Sequence, residues 1–67
     1  MDTKRYLNII HDNGKTCEGL AEYMGIAKNT VSCKLNGKIK ITVEDMKKMC
    51  DFAELKDHHT ICQIFLT

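Results

Sequence analysis

The stretch TCEGLAEYMGIAKNTVSCKLNGK, residues 16–38, constrains the fold of this chain more than any other. Thr16 suits a helix N-cap, and Glu18 falls in the turn that follows, where its charge complements the helix dipole. Leu20, Ala21 and Met24 then recur at helical spacing, and Gly25 ends the run. A second helix fits Lys28 to Leu35, with Val31 and Leu35 four apart on an inward face and Asn36-Gly37 as its stop. The chain therefore predicts two short helices around a tight glycine-containing turn, followed by a lysine-bearing tail.

The remaining sequence supplies what such a pair leans on. Tyr6, Leu7 and Ile10 are spaced for one helix face, and Asn13-Gly14 closes that helix. The segment Lys38-Ile39-Lys40-Ile41 alternates and is expected to be an extended loop. Thr42-Val43-Glu44-Asp45 resembles a capping box with Asp in place of Glu. Met46, Met49, Cys50 and Ala53 continue at helical spacing, as Met24 does earlier, and are expected in the core. The pattern breaks from Leu55 to Asp57, and a last short helix fits about His58 to about Phe65. With 67 residues and no linker or repeat, the chain reads as one all-α domain over 1–67 with a small core. No signal peptide or run of about 20 apolar residues occurs, so a cytoplasmic protein with no membrane partner is expected.

Two helices joined in this way match the layout of a DNA-reading helix-turn-helix, at about residues 17–35. On the helix from Lys28 the outward edge holds Lys28, Asn29, Ser32, Cys33 and Asn36, a short polar strip suited to base edges. Net charge is only +1, yet it is unevenly spread. From Asn13 to Ile41 five lysines face Glu18 and Glu22, giving +3. From Thr42 onward three lysines face five carboxylates, giving −2.

Leu20-Ala21-x-x-Met24-Gly25-Ile26, followed by Thr30-Val31-Ser32 and Asn36-Gly37-Lys38, resembles the Cro/cI-type helix-turn-helix, or XRE, family. The resemblance extends over about residues 4–55 and is densest over 16–38. It implies a compact five-helix, lambda-repressor-like domain without enzymatic activity, cofactor or small-molecule substrate. It also implies a transcriptional regulator, a phage repressor or Cro-like protein, that binds double-stranded DNA at a palindromic operator, commonly as a dimer. By matching position, Lys28, Asn29, Ser32 and Cys33 are the expected base contacts. Asn29 leads because an amide pairs bidentately with adenine. Thr16, Cys17, Asn36, Lys38 and Lys40 are the expected phosphate contacts, the first two through backbone N–H groups at a helix start. Several positions depart from the family. Ala27 stands where a Ser or Thr cap is usual, and Cys17 replaces a frequent glutamine. Lys34 replaces an apolar residue, with its stem expected along the core and its ammonium in solvent. Cys33 offers at most an apolar contact to a thymine methyl.

Other chemistry finds less support. Cys50, His58, His59 and Cys62 match no zinc spacing, so no metal site is expected. The four cysteines are widely spaced and read as reduced thiols. Oxidation of Cys33 at the reading edge is a conceivable switch. No catalytic arrangement is spaced persuasively. The segment Ile61-Cys62-Gln63-Ile64-Phe65-Leu66 is apolar for a chain end. Part of it is expected to close the core and the rest, within 61–66, to form a homodimer surface. The rival expectation is a protein-interaction module, an antitoxin-like or phage accessory protein that keeps the fold with little DNA binding.

Overall fold

Helix starts in this chain are set by side-chain oxygens, with one exception. The computed structural model describes residues 1–66; Thr67, the end of the expected domain, lies outside them. Five helices follow one another: α1 (Thr3–Asp12), α2 (Cys17–Met24), α3 (Lys28–Leu35), α4 (Val43–Phe52) and α5 (His58–Phe65). No strand occurs among the described residues. Asp2, Thr16, Thr42 and Asp57 cap α1, α2, α4 and α5 by accepting from a backbone N–H three residues on. The box at α4 is complete, since the Asp45 carboxylate also accepts from the Thr42 N–H at 3.0 Å. α3 is the exception, because Ala27 supplies no cap.

The helix ends are equally local in origin. Gly25 (φ 71°) and Gly37 (φ 80°) hold the left-handed conformation that terminates α2 and α3. At α3 the Lys38 N–H donates to the Cys33 carbonyl (2.9 Å) and the Gly37 N–H to that of Lys34 (3.3 Å), a Schellman closure.

The apolar faces converge on one core. Tyr6, Ile10, Leu20, Met49 and Ile64 are all but fully buried, joined by Ala21, Met24, Val31, Leu35 and Ala53. Each large side chain so buried contributes about 1.5–3 kcal/mol of apolar transfer free energy. α2 packs on both α3 and α4, and α1 on α5. The Tyr6 hydroxyl donates to the Met49 carbonyl at 2.8 Å, and burial pushes its pKa upward. The chain end does part of the expected closing. Ile64 is in the core, Phe65 meets Tyr6 edge to face at 6.1 Å, and the Asp2 N–H donates to the Ile64 carbonyl at 2.7 Å. Met46 departs from expectation. It is half-buried at the rim, while Met24 and Met49 are buried. No described helix is long and apolar enough to cross a membrane.

Candidate nucleic-acid interface

The inward half of the helix-turn-helix is sealed by Leu20, Ala21, Met24, Val31 and Leu35, which leaves one polar edge outward. On α3 the side chains of Lys28, Asn29 and Ser32 are exposed, and so is Asn36 at its C-cap. Neither Lys28 nor Asn29 makes a hydrogen bond or ion pair within the described residues, so both polar heads are available to a ligand. Asn36 lies 3.5 Å from the Ser32 hydroxyl, which aligns the far end of the strip. Cys33 is only half-buried rather than outward, so the edge is narrower than its sequence implies.

The start of α2 comes to the same place. Cys17, Lys28, Ser32 and Asn36 border one cleft of about 270 Å³, floored by Leu7, Val31 and Leu35. Residues expected to touch phosphate and residues expected to touch bases thus share one wall of the molecule. The Thr16 hydroxyl accepts from the Gly19 N–H at 3.1 Å, which caps α2 and leaves the hydroxyl proton and the first backbone N–H groups of this turn as donors. α3 is fixed from behind by the Thr3 hydroxyl, which donates to the Leu35 carbonyl at 2.6 Å.

Lys38 and Lys40 follow α3 on a loop that bends at Lys38 and Ile39 rather than running extended. The bend comes from the Schellman closure, which draws both N–H groups back to Cys33. Both lysines are exposed. Lys34 differs from expectation more sharply. Its ammonium does not reach open solvent but meets the Asp45 carboxylate at 2.7 Å and the Lys40 carbonyl at 3.4 Å. Its side chain is 13% exposed and that of Asp45 is 19% exposed, so the pair is largely withdrawn from water. The Lys34 hydrogen bond, then the Thr42 N–H, hold the Asp45 carboxyl below its ordinary pKa. One acidic residue therefore caps α4 and ties α3 and the lysine loop to it.

The other candidates are scattered. Cys50 is buried, where desolvation and then Asp51 push its thiol pKa up, whereas Cys62, His58 and His59 are exposed. His59 pairs with Gln63 at 3.0 Å. No group of three or more metal-ligating side chains comes together among the described residues. The four thiols are unbonded. Comparison with family models, curated proteins and solved structures finds nothing that matches this chain.

Proposed function

We propose that this protein is a sequence-specific DNA-binding regulator of the Cro/cI helix-turn-helix type, a repressor that occupies a palindromic operator as a homodimer. α3 enters the major groove, with Asn29 and Lys28 reading base edges and Ser32 in support. The N-terminal turn of α2 directs backbone N–H groups at a phosphate, and Asn36, Lys38 and Lys40 hold the strand beyond. The observation that carries this reading is the shared wall. Cys17 at the start of α2 borders the same cleft as Lys28 and Ser32 of α3 and Asn36 at its C-cap, while the Lys28 and Asn29 side chains have no partner among the described residues.

Selection from a random DNA pool tests it, with a recovered palindrome as the expected result. Asn29→Ala is then expected to lower discrimination between that site and random DNA by about 1–3 kcal/mol. Failure to enrich any sequence, with no retention on heparin at low salt, overturns the reading and favours a partner-binding module.

A further inference from the structure

Two Asn-Gly pairs end helices in this chain, Asn13-Gly14 after α1 and Asn36-Gly37 after α3. Their backbones are nearly the same. Asn13 stands at φ −88°, ψ 8° and Asn36 at φ −88°, ψ 1°, each followed by a left-handed glycine, at φ 73° and 80°. An asparagine before glycine is open to one intramolecular reaction, because no side chain on the next residue screens its backbone nitrogen. Asn8 and Asn29 lie within helices and precede Ile9 and Thr30, whose branched side chains do screen it.

What separates the two pairs is how each is held. The Asn13 amide donates to the Ala53 carbonyl at 3.1 Å, which ties it to the end of α4, and the Gly14 N–H donates to the His11 carbonyl at 2.9 Å. The Asn36 amide reaches only the Ser32 hydroxyl of its own helix, at 3.5 Å, and the Gly37 N–H donates to the Lys34 carbonyl at a longer 3.3 Å. Asn36, Gly37 and Lys38 are all exposed. Freeing the glycine nitrogen and turning the side chain onto it therefore loosens one helical turn at Asn36. At Asn13 the same motion also detaches the end of α1 from α4.

We propose that Asn36 is a self-modification site, where deamidation turns the phosphate-holding end of α3 into an anion. The Gly37 backbone nitrogen attacks Asn36 Cγ. The Cγ–Nδ2 bond breaks, the Gly37 amide proton leaves with that nitrogen as ammonia, and a cyclic imide remains. Water then opens the imide. Addition at Cγ breaks the new Cγ–N bond and leaves aspartate. Addition at the main-chain carbonyl breaks the original peptide bond and routes the chain through the side chain as isoaspartate. Either way an amide and a water become a carboxylate and ammonium.

The consequence rests on the proposed operator reading, in which Asn36, Lys38 and Lys40 hold the DNA strand. The product takes one unit from a net charge of +1. It removes a hydrogen-bond donor and sets a carboxylate two residues before Lys38, where it repels phosphate and competes for the ammonium. Isoaspartate also lengthens the main chain inside the closure that bonds the Lys38 N–H to the Cys33 carbonyl, which shifts the bend that places both lysines. DNA affinity then declines with the age of each molecule, with no enzyme required.

The test is incubation of the full chain at mildly alkaline pH, followed by trypsin digestion and mass spectrometry. Asn13 falls in the peptide 6–15 and Asn36 in 35–38, so the two report separately. Asn36 is expected to convert about five- to tenfold faster than Asn13, the ratio that one further net hydrogen bond gives. In denaturant the two are expected to convert alike. Asn13 converting as fast as Asn36 in the folded chain, or an unchanged Asn36 where the denatured chain converts, overturns the proposal. Asn36→Asp supplies the charge without the chemistry, with circular dichroism checking that the helices persist. On random-sequence duplex DNA it is expected to lower the slope of log affinity against log salt by about 0.9, as for loss of one lysine contact. Unchanged DNA binding by folded Asn36→Asp overturns the regulatory consequence and leaves the operator reading standing. Conversion at Asn36 in a chain without DNA affinity leaves the modification site standing and removes the operator role.

Discussion

Glu54 holds φ at +57°, a left-handed conformation that the other described residues leave to glycine. It stands directly after the C-cap of α4, with the Leu55 N–H returning to the Cys50 carbonyl at 2.9 Å. A side chain in that conformation costs about 1–2 kcal/mol. Lys15 supports it by pairing with the Glu54 carboxylate at 3.1 Å, while donating to the Phe52 carbonyl and lying over the Phe52 ring. The Glu54 end of that pair is 68% exposed, so its contribution is a few tenths of a kcal/mol. Glu54→Gly is therefore expected to stabilise the protein by about 0.5–1 kcal/mol, read as a higher urea midpoint at unchanged slope. The sequence carries no signal for this strain, because a glutamate reads as a helix former rather than as a cap. Lys34 was equally opaque. Its departure from an apolar pattern was visible, but its partner lies eleven residues on, across a loop whose bend depends on bonds no periodicity encodes.

At the level of elements the sequence was most readable, because caps and stops act over three or four residues. Thr16, Thr42 and Asp45 hold the cap positions that their residue types suggest, and the bare Ala27 start of α3 was legible too. Two of the acidic groups make helix starts pH-dependent. Asp45 is held below the ordinary range by Lys34 and then the Thr42 N–H, and Asp57 by the Thr60 hydroxyl and then its N–H. A carboxylate with a depressed folded pKa adds stability above its unfolded value, and that stability is lost as pH falls through the folded value. Unfolding monitored by circular dichroism is thus expected to show stability falling as pH drops below about 4. Asp45→Asn and Asp57→Asn should each flatten that acid limb, and a limb unchanged in both variants would contradict the assignment. The loop after α3 was less readable. Alternation at residues 38–41 suggested extension, yet the helix closure at Gly37 bends it.

Across the whole molecule, charge is divided as the sequence indicates, with the positive segment on α2, α3 and the loop after α3 and the acidic segment on α4 and the turn that leads to α5. Under the proposed operator reading, a net charge near zero leaves few phosphate contacts, so each exposed lysine of the loop is expected to carry a measurable share of binding. Lys38→Ala is expected to weaken specific and random DNA alike and to reduce the slope of log affinity against log salt by about 0.9. A reduction confined to one sequence would place Lys38 at a base edge instead. The polar strip of α3 was legible because helical spacing sorts faces. What distinguishes the two Asn-Gly pairs was not, because Asn13 is held by a carbonyl 40 residues on, which only the folded chain brings near. The Lys34–Asp45 pair has one more consequence, for anyone who redesigns this protein. The side chains at 28 and 29 have no partner among the described residues and that at 32 meets only Asn36, so these letters are free to be rewritten. Position 34 is not part of that alphabet. A replacement α3 that brings an apolar residue there leaves the Asp45 carboxylate with the Thr42 N–H but without its cation, and the loop loses the ammonium bonded to the Lys40 carbonyl. If α3 reads DNA as proposed, new specificity in this scaffold is written at three positions, around a fourth that stays.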